Sequence, residues 1–174
     1  MLELGIDASV RNNLGQTPFH IAVGRRDQNS WYTNGRLEFL LGSNGNPDVN
    51  VADNKEICPI HLAATTLSEH RVRRMFNEGA DSKALTIGGQ SAIHIACRTR
   101  QSNTVGLPTE LCISEGQSEI LDEEGRTALH YACRSGRTES VKIFFGVGAD
   151  PYVTDHKGKA PLDACAELPD EDYR

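Results

Sequence analysis

The stretch Thr127-Ala128-Leu129-His130-Tyr131-Ala132 decides the fold, because it recurs along the chain at nearly even intervals. Three further copies are Thr17-Pro18-Phe19-His20-Ile21-Ala22, Cys58-Pro59-Ile60-His61-Leu62-Ala63 and Ser91-Ala92-Ile93-His94-Ile95-Ala96. The histidines stand 41, 33 and 36 positions apart, and a fifth copy, Ala160-Pro161-Leu162-Asp163-Ala164-Cys165, places an aspartate 33 positions after the last of them. Self-similarity at such a period predicts an array of repeated structural units.

Each copy is interpreted as the first helix of a two-helix unit. Thr127 suits the N-cap position, and Pro18 fits the first helical position, where its missing N–H costs nothing. A second helix is predicted from apolar residues at helical spacing, as at Val72, Met75 and Phe76. Two short helices cannot bury their apolar faces alone, so we expect the units to stack into a quasi-linear solenoid.

These motifs resemble the ankyrin repeat, whose T-P-L-H-x-A signature and period of about 33 residues are matched in four copies and part of a fifth. The resemblance covers nearly the whole chain and implies an all-α solenoid of stacked helix-turn-helix units with β-hairpin-like loops projecting to one side. It also implies a concave surface, formed by the loops and the first helices, at which family members mostly bind other proteins. We expect one domain over residues 1–174, with partial repeats at 1–11 and 155–174 and full repeats at about 12–52, 53–85, 86–121 and 122–154.

Insertions and truncated ends depart from the regular pattern. Residues 28–34 and 42–46 lengthen the connections of the first repeat, and Trp31-Tyr32 among them either anchors an interface or pins the inserted loop onto its own repeat. Residues 98–107 form a polar, irregular insertion, after which Pro108 is expected to start a shortened second helix. The partial repeats at both ends are the pattern expected of a fragment of a longer array.

Length, charge and cysteine usage exclude several classes of protein. A chain of 174 residues fits one repeat array and leaves little room for a separate catalytic domain. A net charge of −6 disfavours a nucleic-acid backbone as the partner. No apolar run approaches the roughly 18 residues of a membrane span, and the first residues lack the features of a signal peptide. The cysteines form an odd set inside apolar segments, typical of reduced core residues: Cys58, Cys97, Cys112, Cys133 and Cys165. We expect a monomeric intracellular protein of the cytoplasm, with the nucleus left open.

The repeated histidines and cysteines raise the question of a metal or catalytic site. His94 with Cys97, and His130 with Cys133, stand three residues apart on one helix. Neighbouring helices pack about 8–10 Å apart, whereas zinc holds three or four ligands at about 2.0–2.3 Å, so one such pair per layer cannot close a site. The resemblance implies instead that each histidine hydrogen-bonds within and between hairpin loops. No Cys–His nucleophile with a third, orienting group is indicated, so we expect no metal, no cofactor and no enzymatic activity.

Superposing the repeats reveals a row of basic side chains on the expected concave face. Arg25, Arg98 and Arg134 follow the first-helix motif. The last position of each hairpin-like loop, directly before the motif, carries Gln16, Ile57, Gln90, Arg126 and Lys159. Guanidinium groups in such a row can bind carboxylates or phosphates bidentately. The hairpin tips offer acids instead: Asp53, Asp122, Glu123, Glu124 and Asp155. Two interpretations stay open, a groove for an acidic partner and a solvated surface on which neighbouring acids neutralise the arginines.

The residues that we expect to contact a partner lie at the hairpin tips and along this row: Asn13, Gln16, Arg25, Asn54, Lys55, Thr65, Gln90, Arg98, Glu123, Arg126, Arg134, His156 and Lys159. A second basic cluster, Arg71, Arg73 and Arg74, is placed on an outer helix, but no aromatic residues interleave with it as nucleic-acid stacking would require.

The sequence therefore predicts a protein-interaction module, a scaffold or adaptor that displays its hairpin tips and first helices at fixed spacing. One alternative is a regulatory or substrate-recruiting segment of a longer enzyme or receptor. Another is a purely structural spacer, for which mutating the arginine row would leave all associations unchanged.

Overall fold

The computed structural model describes residues 7–24, 30–42, 48–66, 68–99 and 117–166. Within these residues the protein is all-α, with eight α-helices, one 3-10 turn at Gln117–Glu119 and no β-strand. The helices are α1 (Pro18–Gly24), α2 (Ser30–Gly42), α3 (Pro59–Thr66), α4 (Glu69–Asn77), α5 (Ala92–Arg98), α6 (Ala128–Arg134), α7 (Thr138–Gly146) and α8 (Pro161–Ala166). The predicted helix-turn-helix repeats are confirmed.

The inner helices α1, α3, α5, α6 and α8 each begin within the repeated motif. Proline occupies the first position of α1, α3 and α8, where no intrahelical donor is needed. Ser91 and Thr127 precede α5 and α6 with extended backbone, and the N–H of Thr127 donates to Nδ1 of His130 at 3.0 Å. The motif histidine thus satisfies a backbone donor at the start of its own helix, a group that would otherwise lack a partner.

Stacking of the inner helices forms the solenoid. Helix α1 contacts α3, α3 contacts α5, α5 contacts α6 and α6 contacts α8, while the outer helices α2, α4 and α7 pack behind α1, α3 and α6. The sixth residue of the motif is a buried alanine in each of the four histidine copies, and the third is a buried Phe, Ile or Leu. A small side chain at the contact lets neighbouring helices approach closely, so the core is continuous from one unit to the next.

Five-residue turns connect the units at 12–16, 53–57, 86–90, 122–126 and 155–159, and we call them hairpins 1 to 5. In each, the first residue donates its backbone N–H to the carbonyl of the fifth, and its side chain accepts the N–H of the fifth residue in return. The fourth residue has positive φ, which glycine adopts at little cost. Hairpin 2 is the exception, since Glu56 stands there at φ 57°.

Two expectations about surface loops and charges were wrong. Residues 30–34, assigned to an inserted loop, form the start of α2, which has 13 residues against nine in α4 and nine in α7. The stretch contains no proline, so nothing interrupts the helix on its N-terminal side.

Asp53 and Asp122, assigned to exposed tips, are buried because their carboxylates accept the backbone N–H groups that close hairpins 2 and 4. The expected features at 28–29, 43–46 and 100–113, and both chain ends, lie outside the described residues.

Candidate partner-binding groove

Two adjoining pockets lie between the hairpins and the inner helices in the C-terminal half of the chain. The larger, about 460 Å³, is lined by Gln90, Arg98, Glu124, Arg126, Tyr131, Arg134 and Ser135. The smaller, about 200 Å³, is lined by Arg126, His130, Tyr131, Arg134, Asp155, Lys157, Lys159 and Ala164. Because the two share Arg126, Tyr131 and Arg134, they form one continuous depression, which we call the groove. It brings together five of the residues expected at the partner surface: Gln90, Arg98, Arg126, Arg134 and Lys159.

Tyr131 organises the floor of the groove. Gln90 donates from Nε2 to the Tyr131 hydroxyl at 2.6 Å, and that hydroxyl donates to Oδ2 of Asp122 at 2.7 Å. Arg126 donates from Nε to the same carboxylate oxygen at 3.0 Å, and its guanidinium carbon lies 4.8 Å from the centre of the Tyr131 ring. Hairpins 3 and 4 are therefore tied to α6 by a connected polar network, which fixes their side chains in place.

The network sets the charge state of its members. Burial alone would raise the pKa of the Asp122 carboxyl, but the hydrogen bonds from Tyr131 and Arg126 hold this pKa below its ordinary value. Burial, together with the hydrogen bond to Asp122, raises the pKa of Tyr131. At neutral pH the pair is thus a carboxylate and a neutral phenol, and the carboxylate faces the Arg126 guanidinium.

The arginines of the groove differ in how far their charges are neutralised. Arg126 forms ion pairs with both Asp122 and Glu124, so most of its charge is balanced within hairpin 4. Arg98 and Arg134 are exposed at the last positions of α5 and α6, and neither forms an ion pair with any residue in the described ranges. Neutralisation by neighbouring acids is therefore seen at Arg126, but not at Arg98 or Arg134 within the described ranges. Arg25 lies outside the described residues.

The remaining expected contact residues lie on the hairpins away from the two pockets. Gln16 donates to Asp53 at 3.4 Å, and the side chain of Asn54 donates to the carbonyl of Asn13 at 3.1 Å. Lys55, Glu123 and His156 are exposed on hairpins 2, 4 and 5. Thr65 is half-buried on α3, with its hydroxyl donating to the Leu62 carbonyl at 2.7 Å. None of these residues lines either pocket of the groove.

The motif histidines bridge successive units, as expected from the family resemblance. Nε2 of His20, His61, His94 and His130 lies 2.9–3.1 Å from a carbonyl of the following connection, at Ile57, Ala84, Arg126 and Lys159. Since a carbonyl only accepts, Nε2 carries the proton and Nδ1 accepts a backbone N–H at the start of the helix. Both ring nitrogens are used in these bonds. Burial, opposed by the bonded carbonyls, lowers the pKa of His20, His61 and His94.

Asp163 keeps half of this arrangement. Its carboxylate accepts the N–H of Ala160 at 2.8 Å, in place of the histidine Nδ1. A carboxylate has no proton to donate to a following loop, so Asp163 cannot form the bridging bond that the histidines make.

Three of the four described cysteines lie in the core. Cys58, Cys97 and Cys133 are buried free thiols, and Cys165 is half-buried. Burial raises the pKa of the Cys58 and Cys133 thiols, which disfavours the reactive thiolate. Among the described residues no group of three His, Cys, Asp or Glu side chains is placed to hold a metal ion. Cys112 lies outside the described residues.

The second basic cluster is not a free basic surface, which corrects the expectation for the outer helix α4. Arg71 is buried and donates to the Val23 carbonyl at 3.0 Å. Arg73 pairs with Glu69, and Arg74 pairs with Glu38 and Glu78. The charges of Arg73 and Arg74 are balanced by neighbouring acids and Arg71 is buried, so the cluster offers little attraction to a phosphate backbone. The side chains of Trp31 and Tyr32 lie outside the described part of α2.

Tyr131, Glu124, Ser135 and Lys157 line the groove but were not among the expected contact residues. A signal for Tyr131 was present in the sequence, because the fifth position of the motif is Ile21, Leu62 or Ile95 in the other histidine copies. A hydroxyl at a position that is otherwise aliphatic points to a polar partner. The loop residues Glu124 and Lys157 carried no comparable signal.

Comparison with known proteins identifies relatives over most of the chain. A profile for ankyrin repeats (three copies) matches residues 72–155 and 102–171. The chain is 37% identical over 150 residues to the B-cell lymphoma 3 protein homolog of Mus musculus, covering 85% of this chain and 33% of that protein. It is 35% identical over 86 residues to the human B-cell lymphoma 3 protein (49% and 18%) and 32% identical over 96 residues to mouse neurogenic locus notch homolog protein 1 (55% and 4%). The chain thus spans a third or less of the length of these relatives. No helix among the described residues is long and apolar enough to cross a membrane.

Proposed function

The chain belongs to the ankyrin-repeat family, and from that premise we propose that it is a protein-interaction module whose groove and hairpin tips bind a partner protein carrying an acidic segment. The observation that carries this proposal is the pair of exposed guanidinium groups at Arg98 and Arg134, which have no ion-pair partner among the described residues. By contrast, Arg73 and Arg74 on the outer helix α4 form ion pairs with neighbouring glutamates. An unbalanced pair in a depression is available to an external anion.

The charge of the groove is opposite to that of the whole chain. Five basic side chains line it, Arg98, Arg126, Arg134, Lys157 and Lys159, against the two carboxylates of Glu124 and Asp155, in a protein of net charge −6. Such a local reversal focuses the electrostatic potential and steers acidic ligands to the depression.

Spacing between the two arginines fits an extended peptide. Arg98 and Arg134 close successive inner helices, and neighbouring helices pack about 8–10 Å apart. A peptide in the extended polyproline II conformation rises about 3.1 Å per residue with three residues per turn, so acidic side chains three residues apart would face both arginines. The network around Tyr131 holds the floor of the groove in place, which limits the ordering cost of binding.

Charge reversal in the groove tests this proposal. The chain with Arg98→Glu and Arg134→Glu is used as bait in cell lysate beside the unaltered chain, and captured proteins are quantified by mass spectrometry. The control bait carries Arg73→Glu and Lys142→Glu, which make the same change in net charge on the outer helices α4 and α7. Both control residues are exposed and pair only with Glu69 and Glu139 in surface ion pairs worth about 0–1 kcal/mol.

We expect one or more proteins to be reduced at least tenfold with the groove bait and to be retained by the control bait. Since tenfold corresponds to about 1.4 kcal/mol, this is the loss expected for two contacts at the centre of an interface. Equal capture by all three baits would contradict the groove as the binding surface and favour the structural-spacer alternative. Circular dichroism and thermal unfolding establish that each bait is folded.

A second candidate function is a regulatory or recruiting segment within a longer protein. The observation that favours it is that the relatives are each at least three times the length of the matched region. Full-length transcripts that extend the reading frame into another domain would support it. In either case we propose that the protein acts without a cofactor or catalytic step, as a monomer inside the cell, where the buried free thiols stay reduced.

A further inference from the structure

We propose that the smaller pocket of the groove binds a phosphate monoester, carried by a phosphorylated serine or threonine of the partner segment. This inference rests on the proposed function, since it specifies the anion that the groove accepts. The pocket lies between α6, α8 and hairpin 5 and has a volume of about 200 Å³. This is well above the roughly 10–15 Å³ that one water molecule needs on the same measure, so the pocket has room for a phosphate group.

The pocket is lined by more cationic groups than a single carboxylate ligand can contact. Arg134 and Lys157 are exposed, line the pocket and form no ion pair with any described residue, and Lys159 lines it as well. A single carboxylate is satisfied by one guanidinium fork, whereas a phosphate monoester carries a charge of about −1.5 to −2 and three acceptor oxygens. Such an anion can contact the guanidinium and an ammonium group at the same time.

The acids near the pocket are already engaged. Asp155 accepts the backbone N–H groups of Lys157 and Lys159 at 2.9 Å each. These bonds hold the loop that carries both lysines beside the pocket. The hydrogen bond from the backbone N–H of Lys159 is the main cause that lowers the pKa of Asp155. The carboxylate therefore stays ionised and bound to the loop. On the other wall, Arg126 is balanced by Asp122 and Glu124. The cations of the pocket that form no ion pair with a described residue are therefore Arg134 and Lys157.

Nuclear magnetic resonance titration tests the assignment without knowledge of the partner. The 15N-labelled chain is titrated at pH 7.5 with N-acetyl-O-phosphoserine amide, with N-acetylglutamic acid amide and with adenosine monophosphate. We expect the phosphoserine compound to produce saturable shifts at the amides of residues 134, 157 and 159, with an affinity at least tenfold higher than that of the glutamate compound. The third probe separates a phosphorylated side chain from a nucleotide, which carries the same phosphate chemistry.

Two variants locate the site. Arg134→Gln together with Lys157→Gln should reduce the affinity for the phosphoserine compound at least tenfold, whereas the control Lys142→Gln on α7 should leave it unchanged. Unchanged shifts at remote amides show that the variants are folded. Equal affinity for the glutamate compound, insensitivity to the double variant, or a tenfold preference for the nucleotide would each overturn the proposal. The titration requires no protein partner, so the pocket can fail while the groove still binds an acidic protein, and the lysate experiment can fail while the pocket still binds the probe.

Discussion

Replacing His94 with leucine measures how much the histidine bridges stabilise the stack. The ring is fully buried and makes three hydrogen bonds: its Nδ1 accepts from the N–H of Ser91 at 3.2 Å and from the hydroxyl of Ser91 at 2.8 Å, and its Nε2 donates to the Arg126 carbonyl at 3.1 Å. The ring also packs edge-on against Tyr131, with centroids 5.8 Å apart. Leucine fills much of the same space but forms none of these bonds, so the partner groups lose them inside the core.

The expected loss follows from counting the groups left without a partner. Ser91 is fully buried, and its N–H, together with the Arg126 carbonyl, would each lose a bond. Only the Ser91 N–H is left without a partner, at a cost of about 1–3 kcal/mol, because the Arg126 carbonyl still accepts the N–H of Asp122. With about 0.5–1.5 kcal/mol for each of the bonds lost by this carbonyl and by the Ser91 hydroxyl, His94→Leu should lower the free energy of unfolding by about 2–6 kcal/mol. The variant His94→Asn offers an amide oxygen near Ser91, as the Asp163 carboxylate does naturally for Ala160, and should lose only the bridging bond, about 0.5–1.5 kcal/mol.

Urea unfolding followed by circular dichroism gives the required free energies, provided that the slope of each transition is unchanged. The control is His70→Leu on α4, whose ring is exposed and lies 3.7 Å from Glu38 in a surface pair, and which should change stability by no more than about 1 kcal/mol. A His94→Leu variant that unfolds within about 1 kcal/mol of the unaltered chain would refute the bridging role. So would equal losses for the leucine and asparagine variants, because the local and bridging bonds would then not be separable.

Three further predictions concern stability. The pKa values of His20, His61 and His94 are lowered by burial, so below about pH 6.5 the unfolded chain binds more protons than the folded one. Stability should therefore fall as the pH drops from 7 towards 5, before the lowered pKa of Asp122 matters, and urea midpoints at several pH values that stay constant over this range would contradict it. Glu56→Gly should stabilise the chain by about 1 kcal/mol, because Glu56 holds the left-handed φ of 57° that glycine adopts more easily. Gly125→Ala should destabilise the chain, because φ is 75° there and an added Cβ would lie 2.7 Å from the His156 ring. Urea unfolding of the two variants should show changes in stability of opposite sign. Ala132→Leu should cost about 1–3 kcal/mol through overpacking between inner helices, and an unaltered thermal midpoint would argue against the helix register.

Features encoded within one motif could be predicted from the sequence. Pro18 at the first helical position, the buried alanine at Ala132 and the bridging role of His130 depend on residue type and on a repeat of about 33 positions, and the structure confirms each of them. These features recur in several copies, so each copy supports the interpretation of the others.

Features that depend on two distant side chains could not be predicted. The pairing of Arg126 with Asp122 and Glu124, and the lack of such partners at Arg98 and Arg134, follow from how hairpin 4 closes around its aspartate. Polar residue type alone placed Asp122 on the surface, although its carboxylate is needed inside to satisfy backbone donors. The N-terminal extension of α2 could not be predicted for a related reason, because polar residues within an insertion are typical of a loop.

Site-directed photo-crosslinking from within the groove is the most direct test of the central claim that the groove binds a protein. A photoreactive amino acid at Ser135, which lines the larger pocket, leaves Arg98 and Arg134 intact, and the same probe at Lys142 on α7 serves as the control. Irradiation in cell lysate should join the Ser135 probe to a discrete partner whose crosslinked peptide is rich in Asp, Glu or phosphorylated residues, with no such product from position 142. No crosslinked partner at Ser135, or the same product from both positions, would contradict the account.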